Sequence, residues 1–258
     1  LRPSDTDRQE EPMKRQLAWT MAVLLALAWV AQPGFGQIAK DAQDVLNKMI
    51  DVQGGRKYLE TIKDSTMTGT MEIIALGVSG TITIYQKEPN KMRMDMEFMG
   101  MLMTQAYDGQ LAWATNPQTG TTEQMPEAQV KEFARQAMGT DSLLNPQKYG
   151  ITYALKPKAQ VEGKDYLVIE QTMADGHKST IYIDPATYLP YKVETMALGM
   201  AGVEVKSESY STDYQKVGQS MVAHAIRVVQ DGADFMTMNL TSVTYNSGLE
   251  DSLFLMSK

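Results

Sequence analysis

From Ser65 onward, apolar and polar residues alternate with a period of two, interrupted by turn residues. In 66–73 (TMTGTMEI), Met67, Met71 and Ile73 share a face. In 80–87 (GTITIYQK), Ile82 and Ile84 do. In 91–98 (KMRMDMEF), Met92, Met94, Met96 and Phe98 lie on one face and Arg93, Asp95 and Glu97 on the other. Such alternation predicts half-buried strands, and short strands with turn signals every ~8–12 residues predict consecutive antiparallel hairpins. Stretches 101–107 and 110–115 continue the meander around the Asp108-Gly109 turn. Seven more strands are predicted at 151–159, 164–173, 178–187, 189–197, 203–211, 221–229 and 234–246.

Two stretches change to a helical period. In 38–53, Ile38, Ala42, Val45, Leu46, Met49 and Ile50 recur at three- and four-residue spacing, and Gly54-Gly55 ends the run. A further short turn at 56–64 turns Leu59 and Ile62 inward. In 125–146, Pro126 suits a first turn, Val130, Phe133, Ala134, Ala137 and Met138 form a stripe, and Gly139 stops it. The expectation is a mainly β fold: one antiparallel sheet, apolar on one face, with helices to cover it.

Six of the thirteen residues in 91–103 are methionine. Thioethers can bind Cu(I), fill a core, or form an adaptable surface for an irregular guest. A copper site needs three or four ligands converging on a point. Met92, Met94 and Met96 instead form a row with about 6.6–7 Å per two-residue step and no histidine among them. A core built for stability alone favours Leu, Ile and Val, whose shapes are better defined. Twenty methionines against five phenylalanines therefore favour an apolar face lining a ligand cavity. The expected lining is Met67, Met71, Ile73, Ile82, Ile84, Met92, Met94, Met96, Phe98 and Trp113. Hairpin tips are normally polar, yet IIALGVSG, EFMGMLM and TMALGMAG set large apolar residues beside glycine. Leu76, Met99 and Leu198 are expected at the cavity rim, as partner-contact residues that meet membrane or cargo first.

Upstream, Met13-Lys14-Arg15 precedes an uncharged apolar run at 17–31 and then Gly34 and Gly36, small residues at minus three and minus one from Gln37. This is the layout of a secretory signal peptide, with residues 1–12 a polar stretch before the expected start. The expected working chain is a single domain, 37–258, exported and free of its leader. The first 36 residues hold four basic and four acidic side chains, so the remainder keeps the net charge of −7. An acidic chain without a basic cluster argues against nucleic acid as a partner. With no cysteine, an exported chain relies on its core rather than on disulfides.

Catalytic signatures are missing. The two histidines, His177 and His224, lie far apart in sequence, and there is neither a phosphate-cradling glycine loop nor a Gly-x-Ser-x-Gly elbow. Asp108, Asp175, Asp184 and Asp231 adjoin Gly or Pro, where turn chemistry accounts for them. No cofactor and no metal site is expected.

The element order, the stretch YDGQLAWAT, the turn IYIDPATYLPYKVE (181–194) and the end VTYNSGLEDSLF (243–254) resemble the LolA-like outer-membrane lipoprotein-sorting proteins. The likeness spans 37–258. It implies a half-open antiparallel β-barrel whose N-terminal and mid-chain helices cover the concave face. It also implies a periplasmic, non-catalytic carrier of lipoprotein acyl chains or another lipid, with partner proteins in the inner and outer membranes. The family's lid-locking arginine is not singled out: Arg93 lies on the polar side of its strand and Arg135 on the mid-chain helix. Two alternatives stay open, an exported interaction module that docks a protein, and a hydrolase whose carboxylate pair forms only in the fold. Oligomeric state is not legible.

Overall fold

The structure, a computed structural model, describes residues 40–116 and 119–256. The expected leader falls outside them. Strands β1 (Asp64–Ile73), β2 (Val78–Lys87), β3 (Lys91–Phe98), β4 (Met101–Tyr107), β5 (Ala112–Thr115) and β6 (Thr122–Gln124) form one meander. Strands β7 (Thr152–Val161), β8 (Lys164–Thr172), β9 (Lys178–Ile183), β10 (Pro190–Leu198), β11 (Glu204–Val217), β12 (Ser220–Gln230) and β13 (Ala233–Tyr245) form the second. They join through β1 and β13 into a single antiparallel sheet of order β6-β5-β4-β3-β2-β1-β13-β12-β11-β10-β9-β8-β7. Mid-chain strands β6 and β7 are thus the two edges, and the sheet is not closed into a barrel.

Register fixes the faces. Met67 pairs with Ile84 and Ile84 with Met94, so odd positions of β1 and even positions of β2 and β3 share the inner face. Two glycines on that face mark close backbone approach. A Cβ on Gly69 would meet the Asn239 carbonyl, and one on Gly80 the Glu97 carbonyl. Gly69 also sits at a register shift between β1 and β13, a local bend of the kind that increases strand twist.

Helices cover both flanks of the inner face. Helix α1 (Lys40–Val52) buries Ala42, Val45, Leu46 and Met49 against Tyr153, Ile169 and Ile183 of β7–β9. Helix α2 (Arg56–Leu59) follows after the Gly54-Gly55 stop. Helix α3 (Glu127–Gln136), with Pro126 at its N-cap, lays Phe133 on Met92, Tyr107 and Ala112. It packs on β4 and β5 and reaches β10, so it spans the opening between the two halves of the sheet. Helix α4 (Thr140–Leu144) starts just past Gly139. Glu88, in the β2–β3 turn, accepts the Thr140 and Asp141 amides at 2.6 and 3.4 Å. Burial pushes its carboxyl up despite these bonds.

Asp141 ties α4 to the turn before β7. It accepts hydrogen bonds from Lys148, Tyr149 and Asn145. The side-chain bond from Lys148, followed by that from Tyr149, holds its carboxyl down at about 2. A depressed carboxyl stabilises the fold above the ordinary aspartate range and loses that contribution as pH falls through the folded value. Acid unfolding should therefore show the parent losing roughly 1 kcal/mol more than Asp141→Asn between about pH 4 and pH 2, with solvent screening of Lys148 taken into account. Equal losses would mean that Asp141 carries no linkage.

Candidate functional site

The inner face of β1–β4 is divided between packed core and open cavity. Met71, Ile82, Met96 and Phe98 are buried together, joined by Met103 of β4 and Met236 and Met238 of β13. Met92 is buried under α3. Beside these, a cavity of about 430 Å³ lies between the sheet and α3. Its apolar lining includes Ile73, Met94, Met96, Phe98, Met103, Met125, Phe133, Leu198, Met200 and Phe235. The polar groups at its margin are chiefly amides, Gln105, Gln129, Gln136 and Gln230, with Glu132.

A second cavity of about 260 Å³ lies toward α1 and α2. Met49, Leu59, Ile62, Met67, Leu143 and Tyr245 form its apolar walls, with Gln53, Gln86, Glu88, Thr140 and Ser220 among its polar groups. Met67, Ile84 and Met94 are consecutive cross-strand neighbours. Met67 borders the smaller cavity and Met94 the larger, so along this row only Ile84 stands between them.

Nine of the ten expected lining residues share the inner face. Ile73, Met94, Met96 and Phe98 border the larger cavity and Met67 the smaller. Met71, Ile82, Ile84 and Met92 instead pack in the clusters between. Trp113 is a correction. It pairs with Ala106, whereas the inner-facing Tyr107 and Gln105 pair with Ala112 and Ala114. Trp113 therefore lies on the outer face, where its indole N–H donates to the Phe254 carbonyl at 2.8 Å. Of the expected rim residues, Leu198 lines the cavity, while Leu76 and Met99 stand exposed at hairpin tips.

Sequence reading missed Met103 and Phe235 as lining residues. Met101, Leu102 and Met103 are all apolar, so that stretch offered no alternation. Phe133 and Met125 were legible only as helix and loop positions.

One polar contact holds α3 over the cavity. Arg135 donates to Glu132 at 2.8 Å and to Asp175, in the β8–β9 turn, at 3.0 Å. Burial acts to lower its pKa, but these two partners outweigh it and raise it. Its Nε is buried without a partner. Arg93, the other candidate, lies on the outer face and bonds Asp95 and the Leu253 carbonyl. The turn aspartates do turn work: Asp108 accepts the amides of Gln110 and Leu111, Asp175 that of His177, and Asp184 that of Ala186. Among the described residues, no three His, Cys, Asp or Glu side chains gather into a possible metal site, and no helix is long and apolar enough to cross a membrane.

Solved structures share this architecture. The chain aligns over 83% of its length with 96% of a domain from Vibrio parahaemolyticus described as an outer membrane lipoprotein-sorting protein, at 17% identity and TM-score 0.56. It aligns over 83% with 97% of a LolA superfamily protein from Nitrosomonas europaea, at 13% identity and TM-score 0.57. A DUF1329 family protein from Desulfovibrio piger matches over 84% of this chain and 98% of its own, at 16% identity and TM-score 0.57. No protein-family model matches the sequence, and no curated protein does. At these identities the likeness is one of fold, and the LolA-like open barrel expected from the sequence is the fold observed.

Proposed function

We propose that the protein is a periplasmic carrier that holds the acyl chains of a lipoprotein or another lipid against the inner face of its sheet. The observation that carries this reading is the 430 Å³ cavity, apolar and rich in thioethers, between an open sheet and one bridging helix. Its volume falls within the roughly 300–1,000 Å³ of ordinary ligand sites. Methionine side chains adapt to a disordered chain better than branched ones do.

The energetics require no chemistry. Each buried methylene contributes about 0.8 kcal/mol, so about ten supply ~8 kcal/mol before ordering costs. Release requires only that α3 be displaced, and a carrier transfers cargo when a receptor binds it better. No catalytic step and no cofactor enters. Export through the 1–36 leader, a 37–258 carrier domain and partner proteins at the donor and acceptor membranes complete the reading.

The test is extraction of the purified exported chain with organic solvent, followed by mass spectrometry. Lipid at near-stoichiometric amounts is expected. A chain that emerges lipid-free from cells, and displaces no fluorescent fatty acid in vitro, would retire the carrier in favour of an interaction module.

A further inference from the structure

Three hairpin tips at one end of the sheet are apolar and exposed. The β1–β2 tip carries Ile74 and Leu76, the β3–β4 tip Met99, Met101 and Leu102, and the β10–β11 tip Met200 and Val203. Met99 is 83% exposed and Met200 63%. Scattered exposed apolar residues are ordinary, but a group of this size at one end calls for a cover.

The tips run against the preferences of turns. Phe98 pairs with Met101, so Met99-Gly100 is a two-residue loop, and both residues have positive φ, 52° and 79°. Asn, Asp or Gly ordinarily occupies the first position. A methionine kept there, at the most exposed large apolar position, is a strained choice of the sort found at functional positions.

Charge separates the possible covers. No charged residue occurs in 73–86, 98–107 or 195–203. Directly behind these stretches stand Glu72, Glu97 and Glu204, all exposed. The nearby cations are already committed: Lys206 pairs with Glu194 and Glu208, and Arg227 with Asp234. Each of these three tips is therefore an uncharged apolar point backed by a carboxylate, while the β12–β13 hairpin end that lies between two of them carries Asp231 and Asp234. Such points match the hydrocarbon beneath neutral headgroups, with the carboxylates left in water. They do not match an anionic surface, which the net charge of −7 would oppose.

Shape points the same way. The β1–β2 and β10–β11 tips flank a depression of about 270 Å³ bordered by Ala75, Met200, Gln230, Ala233 and Phe235, with the Asp234 carboxylate, paired to Arg227, at its margin. They offer separate points rather than one packed face, and a protein partner would have to fill the gaps to interior density. A fluid hydrocarbon layer fills them without such a match. The mouth of the larger cavity lies beside these tips, since Met200 belongs to both and the lining residues Phe98 and Leu198 end the strands that lead into them.

We infer that this end of the molecule docks on a lipid bilayer by inserting its hairpin tips below neutral headgroups, without requiring anionic lipid. Docking rests on the tips alone. Only the corollary, that a lipid chain passes from bilayer to cavity without crossing water, rests on the carrier reading.

The experiment is co-sedimentation of the exported chain with phosphatidylcholine vesicles, alone and with phosphatidylglycerol added. Binding to phosphatidylcholine is expected to be insensitive to salt and to weaken as phosphatidylglycerol is added at low salt. Leu76→Ser, Met99→Ser and Val203→Ser should each lower the partition by about tenfold with the melting temperature unchanged. In a second measurement, the indole introduced by Met99→Trp should shift its emission to the blue on adding vesicles and be quenched by brominated acyl chains. Binding that requires phosphatidylglycerol, serine variants that bind as the parent does, or Met99→Trp emission indifferent to vesicles would overturn the inference. A chain that carries lipid but ignores vesicles would refute docking and leave the carrier standing; one that docks but yields no lipid would do the reverse.

Discussion

Replacing Phe254 with alanine is expected to destabilise the protein by about 3–5 kcal/mol, as for a large aromatic removed from a closed core. Phe254 has no exposed surface, although it belongs to a short 3-10 turn at 251–254. The segment from Asn246 to Phe254 crosses the outer face and is pinned strand by strand. Asp64 of β1 accepts the amides of Ser247, Gly248 and Leu249 and the Ser247 hydroxyl. Burial alone would raise the Asp64 carboxyl, but these donors bring it below the usual value. Lys87 of β2 bonds the Leu249 carbonyl at 2.6 Å and, with Lys91 of β3, pairs with Asp251. Arg93 bonds the Leu253 carbonyl, and Trp113 that of Phe254. Removing the ring leaves a void where a fully buried side chain stood, at the residue whose carbonyl takes the bond from the buried Trp113 indole. Urea unfolding should report the loss, with a red shift of Trp113 emission. A change below about 1 kcal/mol would make the segment a surface ornament.

Aspartate at Met92 and at Met94 should have different consequences. Met92 is buried beneath α3. A carboxylate there has no partner and should cost several kcal/mol, enough to unfold the chain. Met94 is only partly buried and borders the larger cavity, so Met94→Asp should fold while losing at least about tenfold in affinity for a fluorescent fatty acid. Denaturation curves and ligand displacement on the two variants separate the cases. Identical behaviour would show that core and cavity are divided elsewhere.

These two predictions also mark where the sequence stops being legible. Period two placed Met67, Met71, Ile82, Ile84 and the Met92–Phe98 row on a common face, and the helical stripes within 38–53 and 125–146 were plain. The pattern cannot distinguish Met92 from Met94, because the difference comes from where α3 lands. Trp113 was misplaced because Leu111, Ala112, Trp113 and Ala114 are all apolar and carry no phase; pairing with β4 sets it. The outer segment was invisible for a related reason. NSGLEDSLF has no period, and Lys87, Lys91, Arg93 and Asp95 look like a solvated strand face until the chain lies across them. The short strand β6 gave no signal either.

The pairing of β1 with β13 sets the order in which the molecule can be completed. Ser65 faces Tyr245 across that ladder, so the centre of the sheet is joined by contacts separated by most of the chain, the kind that slow folding. During synthesis β1 to β6 emerge first, and β1 must wait with an unpaired edge and an apolar face until β13 arrives. An open edge of this kind is a template for pairing with other chains. The nascent first half is therefore the stage most in need of a holding chaperone, and truncation before β13 should yield aggregates rather than half of a sheet.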